Sequence, residues 1–149
     1  MLLSAGEPTR PLPAMSSENE LIERTYRAYF TVFQTGNVRA ITPYYEIPAM
    51  FLTPSGTRVL ASVQDAEQYL ERMIYGSRTR GYVRGVLTAV QVKQLAEDLA
   101  LLGARSERFA REGELLERVS VVCTMRKSDG TWRIATTALC DPERAFELR

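Results

Sequence analysis

The chain has 149 residues, the length of one domain, and it can bury a single hydrophobic core. Its hydrophobic content of 45% and charged content of 25% are typical of a globular protein. A formal net charge of +1, with arginines scattered along the sequence, excludes a dominant basic surface for nucleic acid or an anionic membrane. No apolar stretch approaches the roughly 20 residues that a membrane-spanning helix needs.

Two cysteines and the absence of histidine restrict the chemistry that the sequence offers. Cys123 and Cys140 are too few for a disulfide framework, and Cys123 lies in an apolar run typical of a buried free thiol. Without histidine, the chain lacks the commonest general base and the commonest metal ligand. The sequence also lacks a glycine-rich phosphate loop, a CxxC pair and a nucleophile elbow. We therefore expect no metal and no cofactor.

The first residues differ in composition from the rest of the chain. Pro8, Pro11 and Pro13 occur among small and polar side chains without hydrophobic periodicity. This composition predicts a disordered leader over residues 1–16 and a single domain over residues 17–149. A basic segment followed by a long apolar one is missing, so we expect no signal peptide and a cytoplasmic location.

Two helices are predicted at the start of the domain. Ser17 and Glu20 form a capping box, which opens a helix whose apolar residues recur every three or four positions. Gly36 provides the left-handed residue that ends it. Asn37 is expected to cap a second, short helix that runs through Thr42.

A hairpin and a third helix follow. The segments 49–53 and 57–60 are short extended runs about a Pro-Ser-Gly turn, a pattern that predicts a hairpin. Ser62 and Asp65 repeat the capping pattern and open a helix with one apolar side. Gly76 is expected to close this helix.

The second half of the chain alternates apolar and polar residues, the pattern of strands. Four long strands are predicted, over about residues 83–95, 99–111, 114–126 and 131–139. Connections of two or three residues join them, short enough for hairpins. This half is therefore predicted to be an antiparallel meander.

The register of the meander can be inferred, because a slip of one residue moves every side chain to the opposite face. Two-residue turns at 112–113 and 129–130 would pair Arg111 with Glu114 and Ser128 with Thr131. One face then collects the apolar Ala100, Leu102, Ala104, Val119, Val121, Cys123, Met125, Trp132, Ile134 and Ala138, together with the polar Ser106, Arg108, Glu117 and Thr136. Three strands agree on this face independently, which supports the register.

The first long strand joins this sheet through a loop of three residues. That length puts one alternating set of its side chains on the apolar face: Val86, Thr88, Val90 and Val92. We prefer this register to the alternative, which would put Gln91 and Lys93 there.

The opposite face of the sheet has a mixed character. Leu101, Val122 and Leu139 share it with Arg105 and Arg118. Because large exposed apolar patches rarely stay uncovered, we expect a homodimer formed through this outer face rather than a monomer.

The order of these elements resembles the nuclear transport factor 2-like superfamily, in particular its bacterial SnoaL-like and ketosteroid isomerase-like members. The resemblance covers residues 17–139 and includes the run Leu99-Ala100-Leu101-Leu102 and the run Gly130-Thr131-Trp132-Arg133-Ile134. It implies an α+β fold, a cone-shaped curved antiparallel sheet with N-terminal helices closing its concave face around a pocket. The family includes isomerases, dehydratases, cyclases and non-catalytic binding proteins, so the fold alone does not give the activity.

Glu117 is the one carboxylate that the predicted register puts on the apolar face, with Arg108 as its cross-strand neighbour. One interpretation is a polar anchor for a substrate, or a base tuned by Arg108. The other is a cross-strand ion pair at the rim, which contributes about 0.2–1 kcal/mol. The four aspartates lie in caps, in turns or after the last strand: Asp65, Asp98, Asp129 and Asp141. The aspartate pattern of ketosteroid isomerase is therefore missing.

Aromatic residues offer a second kind of site. Tyr26, Tyr29 and Tyr45 are candidates to point phenols into the cone, where a hydroxyl can donate a hydrogen bond to a developing oxyanion. The alternative is that they are core residues, since aromatic side chains at helical spacing often are. Trp132 is similarly either core or pocket wall.

Two functions of different classes remain open. The first is binding of a small hydrophobic or ring-containing molecule, with or without cofactor-independent isomerase, dehydratase or cyclase activity. In that case Glu117 would be the base, Tyr29 or Tyr45 the hydrogen-bond donor, and the ligand-binding residues would be Tyr26, Ser106, Arg108, Trp132 and Thr136. The second is a non-catalytic homodimeric interaction module without a ligand.

Overall fold

The structure is a computed structural model that describes the backbone of residues 11–142 and the side chains of residues 18–142. The helices are α1 (Pro11–Phe33), α2 (Val38–Ile41) and α3 (Val63–Thr79), with a 3₁₀ turn at Thr42–Tyr44 after α2. The strands are β1 (Tyr45–Thr53), β2 (Gly56–Leu60), β3 (Arg84–Ala96), β4 (Leu99–Phe109), β5 (Leu115–Ser128) and β6 (Thr131–Cys140). Their order along the chain agrees with the predicted order of elements.

The six strands form one curved, open sheet in the order β2-β1-β6-β5-β4-β3. The predicted antiparallel meander of β3 to β6 is confirmed. The expectation of a wholly antiparallel sheet is wrong, because β1 pairs with β6 in parallel. A local pattern shows that β1 and β2 form a hairpin but not which strand the hairpin joins, so this pairing was not predictable from alternation.

The register between β4 and β5 is confirmed over most of its length. Ala104 pairs with Val121, and Arg108 pairs with Glu117, as predicted. The turn itself is longer than expected: the register shifts after Arg108, and the Ala110 amide donates to the Glu114 carbonyl at 2.8 Å. The connection therefore spans residues 110–114 rather than 112–113, and the predicted pairing at its end is wrong.

A bulge in β6 changes which of its residues face the helices. Met125 pairs with Ile134, but the next pairs are Thr124 with Thr136 and Cys123 with Thr137. One extra residue in a strand moves every later side chain to the opposite face. Thr136 and Ala138, which were predicted for the concave face, therefore lie on the outer face.

A second shift in β3 has the same consequence. Val90 pairs with Ala104 and Val92 with Leu102, which confirms the inner half of the prediction. The register then shifts between Leu87 and Ala89, so that Leu87 lies opposite Ser106. The placement of Val86 and Thr88 on the concave face is therefore wrong: Val86 pairs with Glu107 and is exposed, and the Thr88 hydroxyl donates to the Arg105 carbonyl at 3.1 Å.

The helices begin and end differently from the prediction at three places. α1 begins at Pro11, six residues before the capping box, and residues 1–10 lie outside the described part of the chain. Proline is tolerated there because the first-turn amides have no helical partner. α2 ends at Ile41 rather than Thr42. α3 does not end at Gly76 but continues to Thr79, and Gly81, with φ of +96°, is the left-handed residue that follows it.

α1 crosses the concave face of the sheet and is fixed at both ends by hydrogen bonds. Near its start, the Glu18 carboxylate accepts a hydrogen bond from the Trp132 indole at 2.7 Å and one from Lys127 at 3.2 Å. At its end, the Gln34 side-chain oxygen accepts from the Tyr82 hydroxyl at 2.8 Å and from the Gly85 amide at 2.7 Å. α1 is therefore tied to the β5–β6 side of the sheet at one end and to β3 at the other.

The contact of Glu18 predicts a pH-dependent contribution to stability. The hydrogen bond from Trp132, and then that from Lys127, hold the pKa of Glu18 below its ordinary value of 4.5. A carboxyl whose pKa is lower in the folded state stabilises that state above its unfolded pKa, and this stabilisation is lost as the pH falls through the folded pKa. We expect Glu18→Gln to lower the free energy of unfolding at neutral pH by roughly 1 kcal/mol, because the side chain is partly exposed.

Urea unfolding followed by Trp132 fluorescence measures this difference between neutral pH and pH values below 4.5. The difference between wild type and Glu18→Gln should shrink toward the acidic end. Glu23→Gln is the matched control, since Glu23 lies on the same helix in an exposed pair with Arg27. A difference that stays constant with pH would contradict the assignment.

Candidate functional site

A cavity of about 480 Å³ lies between the concave face of the sheet and the helices α1 and α3. Its volume falls within the range of small-molecule sites. Much of its wall is aromatic or aliphatic, including Tyr26, Phe30, Phe51, Met73, Leu87 and Val121. The cavity remains open where Gly76, Ala104 and Ser106 present little or no side chain.

Two of the three predicted tyrosines line this cavity. Tyr26 and Tyr29 come from successive turns of α1, and their ring centroids are 5.3 Å apart. Tyr45 lies behind Tyr29 and is not part of the wall; the two hydroxyl oxygens are 2.5 Å apart. When Tyr45 donates in this hydrogen bond, the Tyr29 hydroxyl hydrogen is available to a ligand.

Burial also fixes the protonation state of these phenols. All three side chains are almost completely buried, and desolvation raises the pKa of each of them well above its ordinary value of 10. Tyr26, Tyr29 and Tyr45 are therefore neutral phenols at physiological pH. They can donate a hydrogen bond but do not act as phenolate bases.

Arg108 and Glu117 are neighbours, as the register predicted. Arg108 Nη1 lies 3.0 Å from Glu117 Oε2 and 3.5 Å from the Ser77 hydroxyl, and the guanidinium carbon lies 5.4 Å from the centre of the Tyr82 ring. Both side chains line the cavity, and 46% of the Glu117 side chain is exposed. The pair therefore lies at the mouth, where solvent reaches it.

The other predicted residues are divided between the cavity and the rest of the fold. Ser106 lines the cavity. Trp132 does not: it is 2% exposed and donates its indole N–H to Glu18. Thr136 is on the outer face, where its hydroxyl lies 2.7 Å from that of Thr124. Because of the bulge in β6, Thr137 lines the cavity in place of Thr136, with its hydroxyl 3.6 Å from the Cys123 sulfur.

The sequence reasoning missed the contribution of α3. Arg72, Met73, Gly76, Ser77 and Arg80 all line the cavity. Their spacing of three and four residues was a usable signal, because such positions share one face of a helix. The expectation that Gly76 ends the helix concealed it.

The charged residues at the cavity are mostly basic. Its described lining contains Arg72, Arg80, Arg108 and Arg118 but only one carboxylate, Glu117, a formal excess of three positive charges. Arg118 is in an ion pair with Glu107 at 3.3 Å. The mouth therefore favours a ligand that carries negative charge or a strong hydrogen-bond acceptor.

The described residues contain no cluster of three or more histidine, cysteine, aspartate or glutamate side chains that is able to hold a metal. Cys123 is buried, and desolvation raises the pKa of its thiol to about 12. It therefore stays protonated and is a poor nucleophile. Within the described ranges, no helix has both the length and the apolar character needed to cross a bilayer.

Comparison with solved structures identifies the fold. A ketosteroid isomerase-like protein from Erwinia carotovora atroseptica is 20% identical, with a TM-score of 0.62 over 84% of this chain and 98% of that one. An NTF2-like protein with a cystatin-like fold from Novosphingobium aromaticivorans is 13% identical, with a TM-score of 0.68 over 94% and 93%. A protein of unknown function from Mycobacterium tuberculosis is 18% identical, with a TM-score of 0.70 over 95% and 83%. At these identities the likeness concerns the fold alone.

Sequence comparison gives the family. No curated protein matches the chain. Residues 17–142 match the family model described as NTF2-like protein (DUF6841), and this match covers most of the chain. The resemblance inferred from the order of elements is confirmed, and the chain belongs to the NTF2-like family DUF6841.

Proposed function

We propose that the protein binds a small organic molecule, with a ring or a comparable apolar body, in the cavity of the cone. The cavity of about 480 Å³ is the observation that carries this proposal. A wall of aromatic and aliphatic side chains with a few polar groups at one end is typical of ligand sites. The small residues Ala104 and Ser106 keep the space open beneath α1 and α3.

A more specific proposal is that the protein also catalyses a reaction of the bound molecule. Tyr29 is a neutral phenol at the cavity wall, suited to donate a hydrogen bond to an oxyanion. Glu117 is the carboxylate that reaches the cavity and would take the role of base. Tyr45, which lies behind the wall, would orient the Tyr29 hydroxyl rather than touch a substrate. These roles suit a cofactor-independent isomerase, dehydratase or cyclase.

A homodimeric interaction module is the second candidate. The observation that favours it is the outer face of the sheet, where the half-buried Val122 and Ala138 are cross-strand partners. The bulge in β6 brings Ala138 to this face, and Met50, which pairs with Thr136, is 36% exposed there. A second copy of the chain would cover these side chains.

Native mass spectrometry of freshly purified protein tests the binding proposal. We expect a mass above that of the bare polypeptide, released on denaturation, because a ligand that fills the cavity should survive purification. Ser106→Phe should abolish the extra mass by placing a ring in the cavity. The matched control Lys93→Phe adds the same ring on the opposite face, since Lys93 pairs with Leu101, and should retain the ligand.

Several outcomes of this measurement separate the candidates. Extra mass that persists in Ser106→Phe would place the ligand elsewhere and contradict the proposed site. A bare dimer that also fails to bind any member of a library of small aromatic compounds would favour the interaction module. A monomer would contradict the dimer through the outer face.

Substitution of Glu117 separates a binding protein from an enzyme. With the captured molecule as substrate, Glu117→Gln should abolish turnover and change affinity by less than about threefold, because the amide keeps the size but not the basicity of the carboxylate. Tyr29→Phe should lower turnover by about tenfold to a thousandfold if its hydroxyl serves an oxyanion. Glu23→Gln is the control, since Glu23 forms an exposed ion pair with Arg27 and neither residue lines the cavity. Turnover that survives Glu117→Gln would refute the assignment of the base.

A further inference from the structure

Two positions on α3 and the residue that caps its C-terminus form a stripe along the cavity mouth. Arg72, Gly76 and Arg80 follow one another at four-residue spacing, and all three line the cavity. Four residues of an α-helix advance the backbone by about 6 Å and return close to the same face. Two cationic side chains therefore flank a position without a side chain.

The Arg80 guanidinium lies close to Gly76. A Cβ atom placed on Gly76 would lie 3.6 Å from Arg80 Nη1. The Arg80 guanidinium therefore lies beside the bare backbone of Gly76, four residues earlier in the chain. A side chain at position 76 would fill the space beside the Arg80 guanidinium.

These two arginines differ from the other cations of the cavity in having no side-chain partner among the residues that the structure describes. Arg108 is engaged by Glu117, and Arg118 by Glu107. Neither Arg72 nor Arg80 forms an ion pair or a side-chain hydrogen bond with any described residue. Their hydrogen-bond donors are available to a molecule that enters the cavity.

The helix dipole accounts for Arg80, the residue that caps the C-terminus of α3, but not for Arg72. Basic side chains at a helix C-terminus are favourable, and this accounts for Arg78, whose guanidinium reaches the Thr35 carbonyl at 3.5 Å outside the cavity. The dipole effect decays within the last turn, whereas Arg72 lies about two turns before the end of α3 at Thr79. The position of Arg72 at the cavity is therefore not set by the helix dipole.

We infer that the ligand of the cone is an organic anion, with an apolar body among the aromatic side chains and a carboxylate or sulfonate between Arg72 and Arg80. This inference rests on the proposed binding function and adds the chemical class of the ligand. Guanidinium groups bind planar or tetrahedral oxyanions with paired hydrogen bonds, and Arg72 and Arg80 are exposed at the mouth, where the charged end of a ligand would stay in contact with solvent. Arg108 is the less suitable anchor, because Glu117 already occupies one of its donors.

Two fluorescent probes that differ only in charge test this inference. Anilinonaphthalene sulfonate carries an anionic group on two aromatic ring systems, and phenylnaphthylamine is the same molecule without the sulfonate. We expect wild type to bind both, and to bind the sulfonate roughly tenfold more tightly, the size of one charge-assisted hydrogen bond. Arg72→Gln and Arg80→Gln should each weaken sulfonate binding by about threefold or more and leave the neutral probe unchanged.

Matched variants exclude unrelated causes. Arg39→Gln removes one positive charge from an exposed position of α2 that does not line the cavity, and should leave both affinities unchanged. Ser106→Phe should remove binding of both probes, which ties the signal to the cavity. Circular dichroism and thermal unfolding of each variant confirm that the fold is kept.

The outcomes distinguish failure of the proposed binding function from failure of the inferred preference for an anion. If wild type binds neither probe, both the binding function and the anion preference fail. If it binds both with equal affinity, the binding function stands and the anion inference is refuted. A sulfonate preference that survives in Arg72→Gln and Arg80→Gln would refute the site between these two arginines.

Discussion

The placement of α1 across the concave face of the sheet is the constraint on which the rest of the structure depends. A curved sheet must cover its apolar face, and α1 does so without filling it, because polar contacts at its two ends hold the helix against opposite sides of the sheet. Glu18 meets the Trp132 indole on β6, and Gln34 meets Tyr82 and the backbone of Gly85 on β3. Between these ends, Tyr29 bonds to Tyr45, and the remaining space under the helix is the cavity. The same contacts that fix the helix therefore also create the site.

The sequence predicted the sheet best where the alternation of side chains was strongest. In β4, β5 and β6, buried apolar residues recur at every second position. They face the side that was predicted and include Leu102, Cys123, Met125 and Ile134. Prediction failed in β6 because residues 135–138 are Ala, Thr, Thr and Ala, so that a slip of one residue changes neither size nor polarity. In β3 the neighbours Val86 and Leu87 are equally apolar, and the pattern does not show which of them turns inward.

The helices show why local signals locate a site only in part. Glycine within a helix costs only about 1 kcal/mol relative to alanine, so Gly76 alone does not decide whether α3 ends there. The position with positive φ is Gly81, and the extra turn of helix carries Ser77 and Arg80 to the cavity mouth. Tyr26, Tyr29, Ser106, Arg108 and Glu117 were found from the sequence because periodicity gave their faces. The arginines of α3 required knowledge of how that helix docks on the sheet, which is a property of the whole fold.

The polar groups of the cavity lie in two regions, one in the wall and one at the mouth. Neutral phenols lie in the wall, whereas the ion pair of Arg108 with Glu117 and the exposed Arg72 and Arg80 lie toward solvent. A molecule that satisfies both regions needs an apolar body with one hydrogen-bond acceptor and a charged end. Such a division orients a ligand in one direction along the cone, and orientation is required by a binding protein and an enzyme alike. If Glu117 has the proposed role of base, the two would differ in whether it meets an acidic proton of the ligand, and that would depend on the ligand rather than on the fold.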